Sequence, residues 1–206
     1  MKHIWKIFTI ILTIVLFVII LTDPEPVDRS KDPIQIANIE MIMTRSSVRS
    51  YTPQIIEDEK IETILKAGMA APTAGNRQPW EFYVVQDTSL IKEFVKVTKY
   101  AAPMHNIANT AIIVCGNPSQ SFPAEPLYWV QDCSAATENI LLAAHSLGLG
   151  AVWCGVYPVQ EHVEILKEQL TMPEELTPLN IIMLGYPDKE PTIKDKWKPE
   201  KVHYIK

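Results

Sequence analysis

Apolar residues recur with two periods along the chain, and the change from one to the other marks out its elements. In the run IQIANIEMIMT, the spacing of Ile39, Ile42 and Met43 predicts a helix with one apolar stripe ending at Thr44. Asp32-Pro33 before it reads as an N-cap followed by Pro at the first helical position. A second helix is predicted from about Glu57, with Ile61, Ile64 and Leu65 on one face. WEFYVVQ from Trp80 and TAIIVCG from Thr110 are short β-rich runs bounded by turn residues and predict strands, with a helix over about Ser89–Thr98 between them. The long segment Tyr128–Leu147 sets Cys133, Ala136, Ile140, Leu141, Ala144 and Leu147 on a wide stripe, the pattern of a largely buried helix, and Gly148 is placed to close it. A strand from Gly150, a helix over Val159–Leu170, a strand from Leu179 and a Lys-rich tail from Pro187 complete the pattern. Strands alternating with helices, after two leading helices and without an internal repeat, predict an α+β domain built as a three-layer sandwich.

The N-terminus follows neither period. Ile7–Leu21 is apolar except for Thr9 and Thr13, and the stretch from Ile4 to Thr22 approaches the ~20 residues a helix needs to cross a bilayer. A charged start and a short apolar run also describe a secretory signal peptide, but TDPEPVDRS after it offers no small-x-small cleavage pair. The expectation is an uncleaved transmembrane anchor over residues 1–22, held in the membrane through residues 4–22, then a Pro- and acid-rich linker over 23–31 and one domain over 32–206. Lys2 and Lys6 precede the run while Asp23, Glu25 and Asp28 follow it, which by the charge rule keeps the N-terminus in the cytoplasm and the domain outside. Cleavage would make the domain a secreted one.

Composition narrows the chemistry. The 206 residues carry 24 acidic side chains against 19 Lys and Arg, a net charge of -5, with no basic block, which argues against nucleic acid as the partner. Cys115, Cys133 and Cys154 are odd in number and far apart, and the five His show no ligand spacing, so neither a disulfide framework nor a metal site is expected. No G-x-S-x-G, G-x-G-x-x-G or P-loop occurs. Chemistry without a readable nucleophile points to a bound cofactor that the protein holds and tunes.

Three polar clusters lie at element edges. In Thr44-Arg45-Ser46-Ser47-Val48-Arg49-Ser50-Tyr51 two guanidinium forks flank hydroxyls, a set suited to an anion and equally to a cationic helix C-terminus. Ala70–Trp80 is a Pro-bounded loop whose backbone and amide donors could meet a flat heterocycle, or a plain turn with Trp80 in the core. Lys194-Asp195-Lys196-Trp197-Lys198 could close over an anion or end the chain in solvent.

Taken in order, TRSSVRSY, APTAGNRQPWEF, WVQDCSAATENILLAAHSLGLGAVWCGVYP, LGYP and KDKWKPEKVHY resemble the small FMN-dependent nitroreductase family over roughly residues 33–206. The resemblance implies a mixed, mainly antiparallel sheet flanked by helices, and an intertwined homodimer with FMN at the subunit interface. It further implies that Arg45 and Ser47, with Ser46 between them, face the phosphate or ribityl chain, and that Arg49 faces the N1/C2=O edge of the flavin, where a cation stabilises the reduced ring. Pro72, Thr73 and Asn76 resemble residues contributed by the partner chain. Trp153, Cys154 and Gly155 match the strand end that approaches N5, and Lys194 and Lys196 match a terminal phosphate-binding pair whose second member is usually Arg. The implied reaction is ping-pong: NADH or NADPH passes hydride to the flavin, and a nitroaromatic, quinone or similar small acceptor then takes the electrons. No catalytic side chain is implied. A tethered flavoprotein that relays electrons or senses redox state is the alternative, and reductive dehalogenation a minor one, because residues 87–109 leave little room for a substrate lid.

Overall fold

The computed structural model describes residues 33–97 and 108–206. The expected anchor, its linker and the Asp32 N-cap lie outside these residues; among the described residues no helix is long and apolar enough to cross a membrane. The chain divides into two compact units, residues 1–39 and 40–206, the first described only from Pro33.

Five helices and four strands make up the described chain: α1 Pro33–Thr44, α2 Asp58–Met69, β1 Trp80–Val85, α3 Thr88–Val97, β2 Thr110–Gly116, α4 Tyr128–Ser146, β3 Gly150–Gly155, α5 Gln160–Gln169 and β4 Thr177–Gly185. The strands form one sheet in the order β1-β2-β4-β3. Every neighbouring pair is antiparallel, with Tyr83 opposite Ile113, Ile112 opposite Ile182 and Val152 opposite Met183. Among the described residues, parallel pairing, which would make the sheet mixed, is confined to an isolated bridge between Ser47 and Ala151.

Side chains alternate across the sheet with period two and build two cores. Ala111, Ile113 and Cys115 join Ile181, Met183, Val152 and Cys154 on one face, under Ile91 and Phe94 of α3 and Val163 and Leu166 of α5. Ile112, Val114, Ile182 and Leu184 lie on the other, under Ile61 and Ile64 of α2 and the stripe of α4 from Trp129 to Ala144. Helices on both faces leave β2 buried along its whole length, which explains its unbroken apolar run.

α4 ends as its sequence predicts. Gly148 takes φ +75°, and the amides of Gly148 and Leu149 close back on the carbonyls of His145 (3.1 Å) and Ala144 (2.9 Å), the Schellman pattern. Near its start, Trp129 lies so close to Gly116 that a Cβ there would sit 2.2 Å from the indole. The stripe of α1 differs from expectation: Ile39, Ile42 and Met43 are 58%, 51% and 71% exposed. Periodicity marks an apolar stripe but not the surface that covers it.

Gly116→Ala is expected to destabilise the protein by about 1–3 kcal/mol through overpacking against Trp129, read as a lower denaturant midpoint at unchanged slope.

Candidate functional site

The first polar cluster lies where α1 stops and the chain turns extended along the edge strand β3. Ser47 bridges Ala151, and the Val48 amide donates to the Ala151 carbonyl at 3.0 Å. The Val48 side chain fills the space a Cβ of Gly150 would occupy, 2.6 Å from Cγ1. Three residues on, Tyr51 is buried and its hydroxyl donates to the Val48 carbonyl at 2.6 Å. Burial pushes that phenol well above its ordinary range, so it stays a neutral donor. Val48 and Tyr51 thus pin the segment inward, and Ser47 and Arg49 are left on the exposed side.

Arg45 and Ser46 open into a cavity of ≈ 270 Å³, lined also by Thr44, His145, Glu190 and Ile193. Ser46 Oγ donates to the Thr192 carbonyl at 3.1 Å, which ties the cluster to the tail. The cavity therefore joins the first and third clusters, and Lys194 follows the lining Ile193 directly, although Lys194 and Lys196 themselves are exposed. Arg45 Nε pairs with Glu138 at 3.3 Å. A guanidinium and a nearby lysine are cationic donors suited to a phosphate monoester, while the one Ser46 proton is held by the Thr192 carbonyl. His145 is held below the ordinary histidine range by burial and by the neighbouring Arg45 cation.

Beyond Ala151 on β3, Trp153 is 36% exposed, Cys154 buried and Gly155 exposed. A Cβ at Gly155 would meet nothing within 4 Å, so this strand end presents open backbone. The segment carrying Arg45–Arg49 meets this strand at Ala151, two residues before Trp153.

The second cluster is elsewhere. Pro72, Thr73 and Asn76 lie in the loop between α2 and β1, where Gly75, Asn76 and Gln78 take φ of 58°, 54° and 50°. Two non-glycine residues in the left-handed region within one loop mark a conformation its surroundings must impose. Thr73 Oγ1 accepts from the Gln78 amide at 3.1 Å, and Asn76 Oδ1 accepts from Gln78 Nε2 at 2.9 Å. The loop is anchored by Asp132 of α4, 5% exposed, whose Oδ1 accepts from the Ala74 amide at 2.9 Å. Asp132 and His145 are thirteen positions apart on one helix, so the two clusters sit at opposite ends of α4, roughly 20 Å apart by helical rise.

Sequence reasoning placed Thr44 at the head of the first cluster without a role, and missed Asp132 and His145. A signal for Asp132 existed, because a carboxylate four residues before Ala136 falls on the buried stripe, where it requires a partner. His145 carried none, since a histidine in a last helical turn is ordinary.

Two predictions attach to this geometry. Cys115, Cys133 and Cys154 are all buried, and burial pushes Cys115 up and Cys133 up to about 12. A thiol reagent at pH 8 is expected to find none of them in the native protein and all three after denaturation. Asp132→Ala leaves the Ala74 amide without its acceptor and is expected to cost about 1–3 kcal/mol in denaturant unfolding, with Asp132→Asn losing less.

Comparison with known proteins agrees with this architecture. The sequence profile of the Nitroreductase family matches residues 42–123 and 123–186. A protein of Archaeoglobus fulgidus, provisionally named NADH dehydrogenase/NAD(P)H nitroreductase, is 46% identical over 169 residues, spanning 80% of this chain and 95% of its own. A crystal structure from Bacteroides thetaiotaomicron with the same provisional name superposes with a TM-score of 0.76 at 42% identity, covering 82% of this chain and 96% of the other. A structure from Desulfovibrio desulfuricans, described as a nitroreductase in complex with FMN, gives 0.72 at 27% identity and covers 86% and 99%. The chain belongs to the nitroreductase family and is an oxidoreductase of that family.

Proposed function

We propose that this protein is an FMN-dependent oxidoreductase that takes hydride from NADH or NADPH and passes the electrons to a nitroaromatic, quinone or similar small acceptor. The observation that carries the reading is the cavity that brings Arg45 and Ser46 together with the tail before Lys194, next to the start of β3 at Gly148–Ala151. Bound FMN would supply the redox chemistry. The chain's own residues bind and orient it: Arg45, Ser46, Ser47, Lys194 and Lys196 face the phosphate and ribityl chain, and Arg49 faces the N1/C2=O edge. Trp153, Cys154 and Gly155 approach the N5 side with backbone, and no side chain is needed as acid or base.

The second cluster favours a homodimer. Pro72, Thr73 and Asn76 are built as firmly as the first cluster but at the other end of α4, so each chain offers two half-sites facing different places. In the proposed assembly the partner's loop completes each FMN site. Residues 4–22 tether the assembly to a membrane, with the domain outside by the charge rule.

Purified full-length protein reconstituted with FMN is expected to show a flavin spectrum that bleaches within seconds of anaerobic NAD(P)H addition and recovers on adding a nitroaromatic or quinone. Flavin that stays oxidised would favour an electron relay served by another donor, and failure to bind FMN would exclude the reading. Arg49→Ala is expected to weaken FMN affinity roughly tenfold or slow flavin reduction, with the unfolding transition unchanged. Unchanged flavin content and reduction rate would remove Arg49 from the N1 edge.

A further inference from the structure

We infer that His145 makes FMN binding proton-linked: the phosphate monoester entering the Arg45 cavity draws a proton from solvent onto His145 Nδ1. The inference rests on the FMN reading above and adds to it a residue that contributes only when charged.

Counting protons at one hydroxyl gives the starting state. Thr44 Oγ1 lies 2.8 Å from the Glu40 carbonyl and 3.0 Å from His145 Nε2. A hydroxyl has one proton, and a carbonyl can only accept, so Thr44 donates to Glu40 and accepts from His145. Nε2 therefore carries hydrogen, and Nδ1 is the nitrogen left to titrate. The same hydrogen bond fixes the ring at the wall of the cavity, where Thr44, Arg45, Ser46 and His145 are all lining residues.

The charges around the ring decide its resting form. Arg45, at the end of α1, opposes a second cation, and partial burial does the same. Glu138 of α4 is engaged with Arg45, and Glu190 of the tail lines the cavity from the other side. Burial and the Arg45 cation both oppose protonation of the ring and hold it below the ordinary histidine range, so the imidazole is mostly neutral at pH 7. A phosphate dianion beside Arg45 reverses the balance, because it neutralises the repelling cation and attracts an imidazolium. One proton passes from water to Nδ1 and no other bond changes. Since the bound state then holds more protons than the free state, affinity rises as pH falls through the histidine range.

The test compares FMN with riboflavin, which lacks the phosphate, on the full-length protein and on His145→Gln, whose amide still donates to Thr44 but does not titrate. The expected result is an FMN Kd about fivefold tighter at pH 6 than at pH 8 for the parent, relative to the variant. The comparison between the two proteins cancels the phosphate's own ionisation. Calorimetry of the unaltered protein at pH 7 in two buffers of different ionisation enthalpy is expected to show net proton uptake with FMN and none with riboflavin, so the inference does not depend on the variant folding. A variant with the parent's pH profile, or equal uptake with riboflavin, would overturn the inference and leave the FMN reading standing. Absence of FMN binding by the parent at every pH would overturn both.

Discussion

The close packing of α4 against the sheet and α2 is the constraint from which the candidate site follows. Trp129 sits over Gly116, Asn139 donates to the Ala67 carbonyl at 3.0 Å, and the stripe from Cys133 to Ala144 is sealed against β2 and β4. A helix held this firmly is a rigid spacer. Asp132 near one end fixes the loop carrying Thr73 and Asn76, and His145 at the other fixes Thr44 beside Arg45. The distance between the two polar clusters is thus set by the core, and neither loop sets it alone.

Binding chemistry and core packing share residues throughout. Val48 and Tyr51 belong to the core, and by filling the positions beside Gly150 and under β4 they decide that Ser47 and Arg49 face outward. The buried phenol of Tyr51, kept protonated, satisfies the Val48 carbonyl in the middle of that segment. A functional cluster on a short extended segment would otherwise be as loose as any loop. Here it is held by the same burial that stabilises the domain.

Much of this was legible in the sequence, for physical reasons that differ by element. The four strands and five helices announce themselves because β2 and β4 are continuous apolar runs between turn residues and α4 carries an extended stripe closed by Gly148. The polar clusters were legible as clusters, and the resemblance in five stretches assigned them roles. What could not be read was which surface receives each stripe: Ile39, Ile42 and Met43 read as a helical face, and they are exposed. That Arg45 and the tail belong together and Asn76 apart came only from the resemblance; the residues by themselves do not show it, because it depends on where the ends of α4 fall in space. Asp132 and His145 act through a single hydrogen bond each, and in a helix that also carries Gln131, Thr137, Glu138 and Asn139 such a residue stands out only by its place relative to the buried stripe.

In the proposed assembly each FMN site takes one polar cluster from each of two chains. Complementation tests it directly. Arg45→Ala disables the first cluster, and Asn76→Asp disables the second while keeping a residue type tolerant of the left-handed conformation. Each variant alone is expected to retain little FMN. Unfolded together and refolded as a mixture, they form mixed dimers with one intact site, giving about one FMN for every four chains. A mixture that binds no more FMN than its two parents would place both clusters of a site in one chain and contradict the account.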